Sequence, residues 1–419
     1  MRRKPLIVTV TAVLAVLVIA GSVFGLLRQS ARSGHLDRRL DGVVQPTTAR
    51  QPTRTTFTPA TPPKRPAERP ERCWSVYGGT PARTSDGSHL RLGRPRRELW
   101  HVRMRALMEF PPSICDGRLY VNTAKGHTLA INSETGKVLW RRKTGTIFDS
   151  TPAIAGPRLI IGGLDGYVTA LDRATGKPLW KLRTGAAVEA SPVVVGDTAY
   201  VSSLDGRAYA LSVSSGRVRW AYRTGGQIKG SPAVAGGLVY VANYAGEVIA
   251  LRQATGRLAW RRAFRLDPIR TERIYSSTPV SGKSLVFGTV GGYVYSLRAR
   301  SGVLRWRNHI GSYVYSTPAV ARGRVFAGAF NGRLYAFKLS NGRKIWSASM
   351  GGPISGSPVV IGKLVYCSSV RGGTKAFDVR TGKRVWSSPR GKYVPGIASD
   401  RRIYLSLNGY LAAYAARRI

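Results

Sequence analysis

Tryptophan recurs at a nearly fixed interval along this chain of 419 residues. The recurring residues are Trp100, Trp140, Trp180, Trp220, Trp260, Trp306, Trp346 and Trp386. Their spacing is 40 residues, except for one step of 46. A period of this length indicates a repeat architecture, in which each unit is one small sheet or helix pair that cannot bury its apolar face alone.

The same phrase of sequence leads up to each tryptophan. One copy begins at Ser191-Pro192, passes through Asp205-Gly206 and Ser215-Gly216, and ends at Trp220. Proline suits the first residue of a strand, where no ladder donor is needed. The two glycine pairs supply the positive φ that tight turns require. Each copy therefore predicts four short antiparallel strands, with the tryptophan on the fourth.

The two ends of the repeat region complement each other. Seven full copies end at Trp386, and the remaining C-terminal residues supply only three strands. The segment that ends at Leu99 and Trp100 has the pattern of a fourth strand but is not preceded by the other three. Pairing it with the three C-terminal strands completes an eighth blade and leaves no open sheet edge. We predict an all-β fold, an eight-bladed β-propeller of four-stranded antiparallel blades whose last blade is closed by an N-terminal strand. One tryptophan per blade is expected to fill the wedge between neighbouring blades.

The N-terminal region has the composition of a membrane anchor followed by a linker. Residues 1–5 form a basic flank, and residues 6–27 are uncharged and long enough for a transmembrane helix across the ~30 Å hydrocarbon layer. A cleaved signal peptide is the alternative, although its apolar stretch is usually shorter and ends at a small-residue cleavage site. Residues 28–72 are rich in Thr, Pro and Arg and predict a disordered linker, which leaves residues 73–419 for the propeller. We expect a single-pass protein of the cell membrane with its propeller outside the cytoplasm.

The charge of the chain is strongly positive, with 66 Lys and Arg against 20 Asp and Glu, a formal net charge of +46. Such a charge favours anionic neighbours such as lipid headgroups or acidic envelope polymers. A general preference for arginine, with no single partner, is the alternative. The predicted location argues against nucleic acid as a partner, and we expect a monomer.

The cysteines and the motifs argue against a metal centre and against catalysis. Cys73 and Cys115 can pair if the segment before the first blade folds back on it, and Cys367 lies in an apolar strand that predicts a buried thiol. The histidines are scattered, so the sequence predicts no metal site. It contains no GxSxG, no phosphate-binding glycine loop and no Cys/His nucleophile arrangement.

The repeat phrase resembles that of the pyrrolo-quinoline-quinone (PQQ) repeat family of β-propellers. The resemblance is carried by the phrase from Ala170 to Trp180, by its copies, and by the leader that begins Trp74-Ser-Val-Tyr. In that family, quinoprotein dehydrogenases use a bound quinone, a calcium ion, a catalytic aspartate and, typically, adjacent cysteines. A non-catalytic branch resembles the scaffold propeller of outer-membrane β-barrel assembly. Because no two cysteines are adjacent in this sequence, the non-catalytic branch is favoured.

The strand order gives the predicted propeller an upper face, where the first strand of each blade begins, and a lower face, where the Thr-Gly turns lie. Six lower turns place a cation directly after glycine and form a candidate face for an anionic surface; the alternative is that these turns are simply solvated. The six cations are Lys137, Lys177, Arg217, Arg257, Arg343 and Lys383.

A second candidate is a ligand-binding rim at the upper mouth, two or three residues before a proline at the start of each repeat. It consists of Glu109, Asp149, Glu189, Lys229, Ser276, Tyr315, Ser355 and Tyr393. A polar, convergent rim suits a cationic or polyhydroxyl ligand, whereas ordinary variation at a solvated strand start is the alternative. The six-residue insertion near residues 265–273 falls on the same face, where a loop that breaks the repeat is a candidate for recognition.

These features predict a membrane-anchored, extracytoplasmic propeller that binds or scaffolds a protein or an envelope polymer and is not an enzyme. No cofactor is expected. The alternative is an enzyme like the quinoprotein dehydrogenases, with PQQ and calcium.

Overall fold

The structure is a computed structural model that describes residues 73–418, except residues 146, 148, 149, 268–270 and 408. The predicted basic flank, transmembrane helix and linker therefore lie outside the described residues. Within the described part, no helix combines the length and the apolar character needed to cross a membrane.

Strands are the regular elements of the described chain, and they form eight sheets. Two strands precede the first blade, β1 (Asp86–Gly87) and β2 (Leu92–Arg103). Blade 1 contains β3 (Ser113–Cys115), β4 (Arg118–Asn122), β5 (His127–Asn132) and β6 (Val138–Lys143). Blade 2 contains β7 (Ala153–Ala155), β8 (Arg158–Gly162), β9 (Tyr167–Asp172) and β10 (Pro178–Arg183). Blade 3 contains β11 (Val193–Val195), β12 (Thr198–Ser202), β13 (Arg207–Ser212) and β14 (Val218–Arg223).

The later blades repeat the same order from the inner to the outer strand. Blade 4 contains β15 (Ala233–Ala235), β16 (Leu238–Ala242), β17 (Glu247–Arg252) and β18 (Leu258–Ala263). Blade 5 contains β19 (Val280–Ser281), β20 (Ser284–Gly288), β21 (Tyr293–Arg298) and β22 (Leu304–His309). Blade 6 contains β23 (Ala319–Ala321), β24 (Arg324–Gly328), β25 (Arg333–Lys338) and β26 (Lys344–Ser349). Blade 7 contains β27 (Val359–Ile361), β28 (Leu364–Ser368), β29 (Thr374–Asp378) and β30 (Arg384–Ser388).

Blade 8 is assembled from both ends of the propeller, as predicted. Its inner strands are β31 (Gly396–Ala398), β32 (Arg402–Leu407) and β33 (Tyr410–Arg418). The outer strand is β2, which runs antiparallel to β33 and places Trp100 opposite Ala413. The prediction of eight four-stranded antiparallel blades with an N-terminal closing strand is confirmed.

Each blade tryptophan lies against the next blade of the ring. The indole Nε1 of seven of them donates to a backbone carbonyl of that blade at 2.9–3.2 Å, as Trp100 does to Ser133 and Trp180 to Val213. The indole ring also covers the lower turn of that blade. A Cβ built on the turn glycine Gly216 would lie 2.7 Å from Trp180. The tryptophan thus fills the wedge between blades, and the turn glycine leaves room for it.

The Ser/Thr residue that precedes the first proline of most repeats has a structural role around the channel. Its hydroxyl accepts the backbone N–H of the corresponding residue in the preceding blade, at 2.8–3.0 Å. The chain of bonds runs through Thr151, Ser191, Ser231, Ser277, Thr317 and Ser357. This hydroxyl belt joins blades 2 to 7 at their inner edges and satisfies amides that burial would otherwise leave unpaired.

The residues that precede β2 fill the central channel. We call residues 74–87 the channel segment. Its backbone carbonyls accept N–H groups from the inner strands of successive blades at 2.8–3.0 Å, including Ser75 from Ile154, Pro81 from Val234 and Thr84 from Val320. At its end, β1 pairs in parallel with β27 of blade 7. The channel segment therefore covers inner-strand edges that would otherwise line an open tunnel.

Two features hold the channel segment in place. A disulfide joins Cys73 to Cys115, the last residue of β3 on the lower face. Gly78 and Gly79 have φ of +78° and +82°, and a Cβ on Gly78 would lie 2.8 Å from the Cα of Arg83. The segment thus starts at the lower face after Cys73, turns at Gly78 and Gly79, where positive φ favours glycine, and then follows the inner strands of successive blades to β1.

Candidate functional site

Arg83 of the channel segment is buried on the propeller axis, with no exposed surface. Its guanidinium donates to three backbone carbonyls, those of Tyr77, Ser191 and Pro232. Burial lowers the pKa of Arg83 to about 9, so the side chain is cationic at neutral pH. The hydroxyl of Tyr77 donates to Ser357 Oγ at 2.5 Å, and burial raises its pKa. These bonds tie the segment to blades 3, 4 and 7 and satisfy the polar groups that it carries into the channel.

The described residues do not fit a quinone and its calcium ion on this axis. The space beside Trp74 and Tyr77 is about 10 Å³, whereas a pocket for an organic ligand occupies about 300–1,000 Å³. Calcium takes six to eight oxygen ligands. Among the described His, Cys, Asp and Glu side chains, the one group of three close enough to hold a metal is Cys73, Cys115 and Asp116, and both cysteines are committed to the disulfide.

The upper mouth brings together some of the predicted rim residues. Glu189 and Lys229 form an ion pair, with Oε2 and Nζ 2.7 Å apart, and Lys229 Nζ also lies 5.8 Å from the ring centre of Tyr275. Tyr275 in turn contacts Tyr315, with the ring centres 5.1 Å apart. Asp149 lies outside the described residues. Blades 3 to 6 therefore share one continuous cluster at this mouth.

The other predicted rim residues are placed differently. Ser276 is buried and bonds to the backbone of Gly288, and Tyr275 stands in the position that corresponds to Lys229 and Tyr315. The reason is that Thr278 occupies the position that proline takes in the neighbouring repeats, and Pro279 comes one residue later, so counting back from this proline gives Ser276. Three further residues of the predicted rim are half-buried and lie outside this cluster: Glu109, Ser355 and Tyr393.

Sequence reasoning missed most of an aromatic arc over blades 4 to 6. Its rings touch in series, with the centres of Tyr244 and Tyr275 4.4 Å apart, those of Tyr315 and Phe330 5.6 Å apart, and Tyr313 against both of the latter. We call Tyr244, Tyr275, Tyr313, Tyr315 and Phe330 the aromatic crescent. Each ring is half-buried or exposed. Aligned repeats would have revealed part of it, because Tyr244 and Phe330 start upper hairpins where other blades have Ala, Leu or Val.

Arg273 adds an exposed cation beside the aromatic crescent. Burial raises the pKa of Tyr315 to about 12, and the neighbouring Tyr275 adds to that effect, while Arg273 opposes it. The phenol of Tyr315 is therefore neutral at physiological pH, and the tyrosines of the crescent provide hydrogen-bonding hydroxyls next to apolar ring faces.

The two ends of the insertion before blade 5 are paired with each other. Arg265 and Thr271 form a β-bridge, and the N–H of Glu272 donates to Phe264 O at 3.0 Å. The Glu272 side chain has no exposed surface, and its Oε1 accepts the N–H of Gly291 at 2.7 Å. Burial raises the pKa of this carboxyl. The C-terminal end of the insertion is thus anchored through a buried acid next to the aromatic crescent.

The lower face carries the predicted cations at equivalent positions of six blades. We call Lys137, Lys177, Arg217, Arg257, Arg343 and Lys383 the basic ring. All six side chains are exposed, while the backbone N–H of residues such as Lys137 and Lys177 is taken up by the turn, through the hydroxyls of Thr135 and Thr175. Cys73 lies on this face as well, through its disulfide to Cys115.

Acidic side chains of the lower face are largely engaged within the protein. Asp172 accepts the N–H and the hydroxyl of Thr175, and these bonds lower its pKa. Asp197 accepts from Arg219 at 2.7 Å. Asp116 pairs with Arg173 at the edge of a shallow depression of about 520 Å³ between blades 1 and 2. The basic ring therefore keeps its excess positive charge.

Eight four-stranded blades, closed by an N-terminal strand and separated by outer-strand tryptophans, define a propeller of the PQQ-repeat class. The chain belongs to the family described as outer membrane protein assembly factor BamB, whose model matches residues 91–184, 164–388 and 348–417. No curated protein sequence matches it significantly.

Solved structures from both branches of the class are similar to this chain. BamB from Moraxella catarrhalis has a TM-score of 0.64 at 19% identity, over 76% of this chain and 99% of that one. A europium-containing methanol dehydrogenase has a TM-score of 0.64 at 15% identity, over 82% and 98%. The quinohemoprotein alcohol dehydrogenase from Comamonas testosteroni has a TM-score of 0.70 at 15% identity, over 83% and 82%. Structural similarity at these sequence identities establishes the propeller fold. The function has to be argued from the residues of the candidate site.

Proposed function

We propose that this chain is a non-catalytic propeller of the cell envelope, outside the cytoplasm, that holds a macromolecular partner on its surface. One observation carries the proposal. The channel segment, with Arg83 buried at its centre, occupies the axis with the chain's own residues. The surfaces available for binding other molecules are therefore the upper and lower faces of the propeller. Membership of the family described as an outer membrane protein assembly factor supports the same role.

The quinoprotein alternative has support from fold likeness but not from the residues. The channel beside Tyr77 has little free space, and Glu189, the acid of the upper cluster, is paired with Lys229. An ion-paired carboxylate that faces an ammonium is a poor calcium ligand, because the two cations compete for its charge.

Reconstitution separates the two functions. Purified full-length protein is incubated with PQQ and Ca²⁺, passed through a desalting column, and assayed for quinone absorbance and for dye reduction with alcohols and sugars. A quinoprotein dehydrogenase treated identically is the positive control. We expect no retained quinone and no calcium-dependent dye reduction. Stoichiometric quinone with calcium-dependent turnover would overturn the proposal.

We further propose that the protein is anchored by residues 6–27 and turns its basic ring toward an anionic membrane surface. Cys73, the first described residue, lies on the same face as the ring. Each basic residue close to an anionic bilayer contributes about 1 kcal/mol, and salt weakens this attraction.

Lysine labelling in vesicles tests this orientation without any substitution. Full-length protein is reconstituted into vesicles of neutral lipid, or of neutral lipid mixed with phosphatidylglycerol, and labelled with an amine-reactive ester before mass spectrometry. We expect Lys137, Lys177 and Lys383 to be protected in the anionic vesicles only, and 0.5 M salt (a chosen condition, about a 4 Å screening length) to remove the protection. Lys125 and Lys143, exposed at the upper ends of blade 1, are the matched controls. Equal labelling of the lower lysines in both vesicles would refute the orientation.

A further inference from the structure

We propose that the aromatic crescent binds an acidic glycan chain, with sugar rings lying on the tyrosine faces and the acidic groups meeting Lys229 and Arg273. The inference deepens the proposed function, because it names the chemistry of a partner that the upper face holds.

The aromatic crescent is a surface feature rather than part of the core. Tyr313 is 38% exposed, and the other four rings are half-buried. Five touching rings at one mouth are more than the single apolar residues that scatter over an ordinary surface, and such clusters mark interaction sites. Four of the five carry a hydroxyl, so the surface alternates apolar faces with polar edges.

A sugar ring matches that alternation. Its C–H groups carry partial positive charge and suit the electron-rich face of an aromatic ring, while its hydroxyls reach the phenols at the ring edges. The side chains of Tyr275 and Tyr315 meet edge to face, with ring planes at 81°, so they present differently oriented surfaces to successive sugars. A chain of sugars, rather than a single one, follows from a crescent that spans three blades.

The charges at the crescent select an acidic ligand. Lys229 lies above the ring of Tyr275 while paired with Glu189, and Arg273 is exposed on the adjacent loop. A carboxylate or phosphate on the glycan adds a second acceptor for these cations, and charge-assisted bonds of this kind are the stronger ones. The net charge of +46 attracts polyanions to the surface and disfavours cationic ligands.

Calorimetric titration of the full-length protein with a hexamer of galacturonic acid tests the inference, with a neutral glucose hexamer as comparison. We expect the acidic hexamer to bind and the neutral one to bind at least about tenfold more weakly. Tyr275→Ala and Arg273→Gln should each weaken binding of the acidic hexamer about tenfold or more. Tyr275→Phe keeps the ring and should retain most of the affinity, which separates loss of the surface from loss of folding.

Matched controls come from the outer strand of blade 3, where Tyr222 is half-buried and Arg223 is exposed. Tyr222→Ala and Arg223→Gln change the same residue types away from the mouth and should leave binding intact. Equal weakening by crescent and control variants would show non-specific attraction and overturn the proposal, as would no binding at all. Equal or tighter binding of a thymidine hexanucleotide, or of a glutamate hexapeptide, through the same residues would replace the glycan by that polymer. None of these results bears on quinone reconstitution, so the proposed function stands or falls separately.

Discussion

The turn glycines beneath the blade tryptophans provide a direct test of how neighbouring blades are held together. Replacing Gly216 by alanine would place a Cβ 2.7 Å from Cδ2 and Cε3 of Trp180, at a residue whose φ is +73°. The indole has little freedom to move, because its Nε1 donates to Val213 O at 2.9 Å. The substitution therefore adds a packing conflict to a backbone cost.

The magnitude follows from two separate terms. A side chain in the left-handed region costs about 1–2 kcal/mol. An extra methyl group forced into a packed contact costs about 1–3 kcal/mol more. The Gly216→Ala variant should therefore lose about 2–5 kcal/mol of unfolding free energy.

Gly196 is the matched control in the same blade. It has φ of +57°, and a Cβ there would meet no atom within 4 Å. Gly196→Ala should therefore cost only the backbone term of about 1–2 kcal/mol. Equilibrium unfolding in urea, followed by tryptophan fluorescence, measures both variants. Equal losses would refute the conclusion that the indole, rather than the turn alone, requires glycine.

Three further predictions concern residues outside the blade interfaces. The Cys73→Ser/Cys115→Ser double variant should lose about 2–4 kcal/mol of unfolding free energy in urea, because the disulfide closes a loop across a sequence separation of 42 residues; unchanged stability would mean that the other contacts of the channel segment suffice. Cys367 should resist iodoacetamide at pH 8 until the protein is unfolded, since burial raises its pKa to about 12; rapid native alkylation, seen by mass spectrometry, would contradict the burial. Burial raises the pKa of Glu272 above its usual 4.5, so the folded state binds this proton more tightly, and stability should fall as pH rises from 4.5 through the folded pKa. Glu272→Gln should flatten that decline in urea midpoints measured across the window, and an unaltered slope would assign the decline to other groups.

The architecture was predictable because its determinants are local and repeated. The period of 40 residues, the Ser/Thr-Pro strand starts and the glycine turns predicted the blades, and Trp100 pairs opposite Ala413 as the closing strand requires. The burial of Cys367 and the pairing of Cys73 with Cys115, given as a conditional expectation, are also found.

The channel segment was not predicted, because it follows no period. Its partners are backbone N–H groups of inner strands, which every sequence possesses, so no residue type identifies them. Arg83 satisfies its charge with the carbonyls of Tyr77, Ser191 and Pro232. A cation held by main-chain oxygens has no acidic partner that would stand out in the sequence.

The candidate sites could be predicted from the sequence only in part, because their residues come from different repeats. The basic ring was identified residue by residue, since each cation occupies the same place in its own repeat. The upper cluster depends on contacts between repeats, and the proline of blade 5 comes one residue later than in the neighbouring blades, so Tyr275 rather than Ser276 holds the equivalent position. Its use as a binding surface remains a proposal that the experiments above address.

The bond between Cys73 and Cys115 has a mechanical consequence. A pulling force applied to the chain ahead of Cys73 would pass through the two sulfur atoms into the end of β3. It would bypass the stretch that leads to β2, so the seam at which the first and last strands meet would not bear the load. A ring whose closing strand is shielded from tension can stay closed when the chain ahead of Cys73 is pulled.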